Sequence, residues 1–306
     1  MGKTYRGLTR VGNTVEARSG VDGLQWICDN VKKLDSTFQG YTGEGLDDIV
    51  EGLGTSRVES FNRTFYNSSL KRIPNGMGFS SATTLEAFCG GCTFDTDITL
   101  SNLQKVKTFM YAFRNIHGVK IITLNDLDAV TNMASLADLE TDRGDILEEI
   151  HINGNTSNVT GVGYMCSQRK KLKILKGLNL INVSSNTRFL YYNSALEELE
   201  IFNIKKTLQI GSGTSWGHKL TDASLINTAK ELWDLTGGTS QTLTVSTPSN
   251  ARFDAIYVKL VTPTAEQIAN DPYINNKKPC EVCESTDEGA MTLREYVVSK
   301  NWELKT

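Results

Sequence analysis

Histidine is nearly missing from this chain: His117, His151 and His218 are the only three in 306 residues, and none stands in a nucleophile or metal motif. Long apolar runs are missing too. No stretch approaches the roughly 18 uninterrupted apolar residues of a membrane-spanning helix, so no membrane insertion is expected. The opening MGKTYRGLTRVGNTVEARSG lacks the apolar core of a secretory signal, which gives the expectation of a protein made and folded in a cytoplasm. On that expectation the Asn-X-Ser/Thr triplets at Asn62, Asn67, Asn155, Asn158 and Asn182 read as polar turn chemistry. An excess of basic charge is also absent. Lys and Arg number 32 against 35 Asp and Glu, a net charge of -3, which provides no general field for nucleic acid or an anionic membrane. The one concentrated basic patch, Arg169-Lys170-Lys171 with Lys173 and Lys176, reads as a solvated rim. A composition of 39% hydrophobic and 22% charged residues places the chain among folded proteins rather than disordered ones.

What the chain does have is a repeated apolar-polar-apolar step. The sharpest copy is Leu199-Glu200-Ile201, inside EELEIFNI (197–204). The same frame recurs upstream as Leu175-Lys176-Gly177, Ile150-His151-Ile152, Ile122-Thr123-Leu124 and Ile98-Thr99-Leu100, with Ile73-Pro74-Asn75 as a degenerate first member. By subtraction of residue numbers the leading residues lie roughly 25, 24, 28, 25 and 24 positions apart, a fixed period that marks stacked repeats. A second landmark precedes each copy: Phe65, Phe88, Phe113, Leu139, Met165 and Leu190. One repeat cannot bury its own apolar face, so both landmarks are expected to form ladders against their neighbours in a solenoid.

Six cysteines are scattered as Cys28, Cys89, Cys92, Cys166, Cys280 and Cys283, including the pairs CGGC and CEVC. The spacing within each pair suits zinc. About 190 residues separate the pairs, however, and a stack of repeats keeps distant segments apart, so neither a shared metal nor a cofactor is expected. Cys92 and Cys166 read as small buried thiols just ahead of repeat strands.

In chain order, residues 1–20 read as an N-terminal arm with hairpin punctuation, carrying Tyr5, Leu8, Val11 and Val15. Residues 21–57 read as a divergent opening repeat, in which Leu24, Ile27, Val31, Leu34 and Phe38 have helical spacing and Lys32-Lys33 face water. The repeats proper run over 58–214, separated by turn clusters such as NGNTSNVTG. Residues 215–306 change texture into a helix-strand unit. Thr221 or Asp222 caps a helix carrying Leu225, Ile226, Ala229, Leu232, Trp233 and Leu235, and QTLTVST follows as a strand. Phe253, Ile256, Tyr257 and Leu260 suggest a helix, TAEQIAN another, and MTLREYVVSKNWEL a helix leading to a last strand. The polar segment 271–291 reads as an inserted surface loop.

Two of these stretches carry a resemblance. FNRTFYNSSLKRIP and FLYYNSALEELEIFNI resemble the units of the bacterial-surface, BspA-like type of leucine-rich repeat, and LTDASLINTAKELWDLTGGTSQTLTV is similar to the block that often follows such repeats in gut bacteria and their phages. The match runs from about Val58 onward. It departs from the pattern at Asp138–Leu147, which has no aromatic anchor, and near Cys280. The resemblance implies an α/β fold class: a leucine-rich-repeat-like solenoid of short strands and helical turns with a helix-strand C-terminal cap. It also implies a recognition or structural role. A phage virion protein of the tail fibre or peripheral tail kind is the expectation, with a bacterial cell-surface adhesin as the alternative.

An enzyme reading finds little in the residues. IGSGTSWG lacks the Lys and Ser/Thr of a phosphate loop, and the adjacent carboxylates Glu148-Glu149 and Glu197-Glu198 read as solvation. The outward row Thr99, Thr123, His151, Lys176 and Glu200 is chemically mixed, and no acid and base are expected to converge on it. That row is therefore the expected binding surface for a host protein or glycan. The arm residues Tyr5, Leu8, Val11 and Val15 are the expected contact to other virion proteins, within an oligomeric assembly.

Overall fold

The computed structural model describes residues 8–11, 14–17, 30–140, 144–210 and 218–306. Its largest feature is a five-stranded parallel sheet in chain order: β3 (Ile98–Leu100), β4 (Ile121–Leu127), β5 (Glu149–Gly154), β6 (Ile174–Asn179) and β7 (Glu198–Phe202). Ahead of it come an antiparallel hairpin, β1 (Leu8–Val11) and β2 (Thr14–Ala17), and a short helix α1 (Leu46–Val50). The hairpin agrees with the reading of the arm. Tyr5, Leu24, Ile27, Cys28 and the glycines of IGSGTSWG lie outside the described residues.

The sheet register agrees with the spacing of the sequence. Ile98 pairs with Ile122, Ile122 with Ile150, Ile150 with Leu175 and Leu175 with Leu199, and all five are buried. The frame Leu175-Lys176-Gly177 is corrected. A bulge at Gly177 (φ 93°) slips the register, so Leu178 rather than Gly177 pairs with Ile201. A Cβ at Gly177 would sit 1.8 Å from the Ile152 carbonyl oxygen, so only glycine fits there. Ile73-Pro74-Asn75 forms no strand, and Ile73 is half-buried.

A second ladder runs beside the sheet. Single parallel bridges join Lys33, Ser60, Thr84, Thr108, Asn132, Gly161 and Ser185 in succession. After each bridge the chain enters a ribbon of overlapping turns whose amides alternate. Phe61, Arg63, Phe65 and Asn67 donate to Thr84, Glu86, Phe88 and Gly90 of the next segment, while Thr64, Tyr66 and Ser68 donate back to Phe61, Arg63 and Phe65. The ribbon thereby pairs its amides without a helix. The same geometry corrects the helix expected over Leu24–Phe38: beyond Asn30 the chain runs in turns, with Leu34, Ser36 and Phe38 donating to Ser60, Asn62 and Thr64. Val31, Leu34 and Phe38 are nevertheless buried and Lys32-Lys33 exposed, as expected.

The second landmark row needs a correction of register. Counting along the alternating amides aligns Phe65, Cys89, Phe113, Ala137 and Cys166, so Phe88 and Met165 stand one position early and Leu139 two late. Cys92 and Cys166 belong to these turn ribbons rather than to strand entrances. All the residues concerned are buried. Arg169 is also corrected: it is 1% exposed rather than part of a solvated rim. Its guanidinium donates to the carbonyls of Ala137 (2.6 Å) and Ile116 (3.1 Å) and pairs with Asp145 (3.0 Å), while Lys170 and Lys171 remain exposed.

Beyond β7, helix α2 (Asp222–Glu231) starts where the Ser224 amide donates to the Thr221 hydroxyl. It ends at the buried Lys300 amine, which donates to the Ala229, Lys230 and Leu232 carbonyls and whose pKa burial lowers to about 7. Leu232, Trp233 and Leu235 fall past this end. Strand β8 (Leu208–Ile210) pairs in parallel with β9 (Gln241–Val245), and β9 with the last strand β13 (Trp302–Lys305). Helix α3 (Thr247–Arg252) and strand β10 (Tyr257–Leu260) replace the helix expected over Phe253–Leu260. Helix α4 (Ala265–Asn270) and helix α5 (Leu293–Ser299) form as read, each behind a threonine capping box. The surface loop expected over 271–291 contains instead a 3-10 turn (Ile274–Lys277) and strand β11 (Cys280–Val282), which pairs with β10, as does β12 (Met291–Thr292). Lys277 is buried there because Glu231 and Asp271 neutralise it at 2.5 and 2.8 Å.

Candidate recognition surface

Successive side chains of a strand point to opposite faces. With Ile98, Ile122, Ile150, Leu175 and Leu199 turned inward, the next residues Thr99, Thr123, His151, Lys176 and Glu200 necessarily occupy the other face. The register pairs each of these with the next, strand by strand. At about 4.8 Å per strand the file is about 19 Å long. Thr99 is exposed and the other four are half-buried.

Charge on this face is largely cancelled across and along strands. The Lys176 ammonium lies 2.6 Å from the Glu198 carboxylate, and Lys173 lies 2.9 Å from Glu148. Hydrogen bonding to Lys173 holds the Glu148 carboxyl below the usual carboxylate range, and the same bond raises Lys173. Exposed pairs of this kind contribute about 0 to 1 kcal/mol, so they set the pattern of the face more than its stability. One member of each doublet, Glu148 and Glu198, is thus paired with a lysine. One expectation is corrected: His151 Nε2 and Glu149 Oε2 meet at 2.7 Å, because residues two apart on a strand share a face. An acid and a base therefore do converge at this one point.

Amides extend the face toward the strand ends. Asn125 donates to Ser101 (3.1 Å), Asn153 to Asn125 (2.8 Å) and Asn203 to Asn179 (3.2 Å). Beside the free edge of β3 lies a cleft of about 490 Å³ bounded by Arg72, Pro74, Asn75, Asp97, Thr99 and Asn102. Asp97 is already committed, accepting from the amides of Lys120 and Ile121, and Arg72 is paired with Glu51. Of the arm residues, Leu8 and Val11 lie in β1 and Val15 in β2, with Val15 opposite Arg10.

Among the described residues no group of three or more His, Cys, Asp and Glu is arranged to hold a metal ion, and no helix is long and apolar enough to cross a membrane. The described cysteines are free thiols. Cys92 donates to the Phe65 carbonyl, and burial pushes the Cys166 thiol up to about 12.

A second concavity escaped the sequence reading. It is a groove of about 670 Å³ on the turn ladder, spanning the ribbons that begin near Thr108, Asn132, Gly161 and Ser185. Its sequence signal, two glycines at positions that carry side chains in the other repeats, becomes visible only once the repeats are aligned. No protein-family model, curated protein or solved structure matches the chain.

Proposed function

We propose that this chain is a non-enzymatic phage virion protein, a tail fibre or other peripheral tail component, whose body is a leucine-rich-repeat-like solenoid displaying a recognition face. The observation that carries the reading is the in-register file Thr99, Thr123, His151, Lys176 and Glu200 on one open face of a parallel sheet. Its chemistry changes strand by strand, from hydroxyl to imidazole to ammonium to carboxylate. Such a surface binds through many dispersed contacts, which suits a host surface protein or glycan. The BspA-like resemblance of FNRTFYNSSLKRIP and FLYYNSALEELEIFNI supplies the class. The N-terminal hairpin is the attachment to other virion proteins, and several copies act together in the assembly.

Mass spectrometry of gradient-purified phage particles tests this reading, and the chain is expected among the particle proteins. Recovery only with the bacterial envelope selects the cell-surface adhesin instead. Removing residues 1–20 is expected to leave the remainder folded and to abolish incorporation into particles. A truncated chain that still incorporates moves the anchor elsewhere.

A further inference from the structure

We propose that the groove on the turn ladder is a binding site for a neutral saccharide. The proposal refines the recognition reading above by naming a ligand class and a second face, away from the sheet file.

The groove exists because side chains are left out. At the bridge position the repeats carry Ser60, Thr84, Thr108, Asn132 and Ser185, but Gly161 in one copy. Two residues on, they carry Asn62, Glu86 and Met110, shrink to Ala134 and Gly163, and regain a side chain at Thr187. Neither Gly161 nor Gly163 has a positive φ, so the backbone does not demand glycine at either place. A Cβ at Gly163 would meet only ordinary contacts, Ser185 Oγ and the Thr187 carbonyl at 3.6 Å. At Gly163 the omission opens space rather than relieving strain, whereas at Gly161 a Cβ would come within 3.3 Å of the Asn132 side-chain oxygen.

The lining specifies the ligand. Tyr111 and Tyr164 stand on the ribbons at either side of the Ala134-Ser135 ribbon, and Tyr164 is 38% exposed. Between and beside them runs a ladder of hydroxyls whose protons are used inward. Thr131 donates to the Lys107 carbonyl (3.1 Å), Thr160 to that of Thr131 (3.2 Å) and Ser184 to that of Thr160 (3.1 Å). A hydroxyl that has given its proton away keeps acceptor lone pairs. The Asn132 side-chain oxygen likewise accepts from the Ala134 amide, with a lone pair to spare. The groove therefore presents this row of acceptors, the hydroxyls of Ser135, Ser185 and Thr187, which can donate or accept, and aromatic rings, and no charged side chain lines it. Without a cation in its lining the groove gives an anion no counter-charge. A ligand rich in hydroxyl donors with apolar C–H faces fits both features, and a sugar is that ligand. The volume falls within the roughly 300 to 1,000 Å³ of small-ligand sites, so it holds a short saccharide segment rather than a protein face. At the rim, Arg188 lies over the Tyr164 ring (5.6 Å) and Arg114 over that of Tyr111 (5.2 Å), fixing both aromatics.

Saturation-transfer NMR of the full chain tests the proposal, using neutral tetrasaccharides of glucose, galactose, mannose and N-acetylglucosamine at millimolar concentration. Transfer to at least one of them is expected. It should weaken tenfold or more in Gly163→Met, which installs the side chain that Met110 already carries in register, and in Tyr164→Ala. Circular dichroism and the urea midpoint check that both variants fold, and Glu288→Ala, exposed and outside both the groove and the sheet file, should bind as the parent does. Three results overturn the proposal: no transfer from any of these sugars, equal transfer in the groove variants, or binding confined to acidic saccharides and lost in Arg188→Ala. None of them bears on whether the chain is found in purified particles, so the two readings fail separately.

Discussion

His218 shows how a single residue is governed by its surroundings. It is 5% exposed, its Nε2 lies 3.3 Å from the Ser246 hydroxyl and its Nδ1 3.2 Å from that of Ser249. No carboxylate is among these partners, and burial lowers its pKa from 6.5 to about 4. The folded chain thus refuses a proton that the unfolded chain accepts between about pH 6.5 and 4, and stability is lost as pH falls through that window. Using about 1.4 kcal/mol per pKa unit, the loss approaches about 3 kcal/mol. Urea midpoints measured at pH 7 and pH 4 should show it, and His218→Asn should flatten the difference. An unchanged pH dependence in that variant would assign the acid sensitivity to other groups.

The turn ribbons follow a rule that is invisible one residue at a time. Two adjacent positions face the core in each ribbon, and in five successive ribbons their volumes trade: Thr64-Phe65, Phe88-Cys89, Ala112-Phe113, Leu136-Ala137 and Met165-Cys166, all buried; the sixth, Phe189-Leu190, buries two large side chains instead. Within the stacked interior ribbons close packing favours this, since two large neighbours would crowd the layer and two small ones would leave a void. Phe88→Ala should cost about 3 to 5 kcal/mol, and Cys89→Phe about 1 to 3 kcal/mol by overpacking. The double variant Phe88→Ala/Cys89→Phe recreates the Ala112-Phe113 arrangement and should be more stable than the sum of the single losses allows. Additivity in chemical denaturation would refute the trade. The sheet makes a parallel contrast. Ile150→Ala, in the central strand, should cost about 2 to 5 kcal/mol, whereas Lys176→Ala on the outward file should change stability by no more than about 1 kcal/mol.

For the molecule as a whole, the β7 edge of the parallel sheet is the one that the C-terminal segment covers. A free edge strand is a template for pairing with another chain. Residues leading into and along α2 cover β7: Lys219 donates to the Leu196 carbonyl, Thr221 to that of Glu197, and the Ser224 hydroxyl accepts from the Leu199 amide. The Glu231 side chain then receives the Asn203 amide. A chain ending at Ile210 should therefore self-associate, while the full chain keeps this edge covered. Size-exclusion chromatography with light scattering would read the difference, and a monomeric truncated chain would show that β7 needs no cover.

The sheet and its outward file were legible in the sequence because a strand alternates faces with period two and each inward residue must be apolar. Ile98, Ile122, Ile150, Leu175 and Leu199 therefore announced both their register and, one residue on, the file. The ribbon register was hidden, since bulk traded between adjacent positions leaves the core equally filled and only the backbone hydrogen bonds distinguish the two. The same degeneracy concealed the groove, whose glycines mean something only after alignment. Tyr257 to Leu260 fitted a helical spacing locally, and pairing with β11 and β12 made it a strand. Lys277 looked solvated until Glu231, distant in sequence, supplied the opposite charge that lets it be buried. Local periodicity determined which residues face the core; contacts between segments far apart in the chain decided their partners, because pairing energy depends on distances that no sequence window contains.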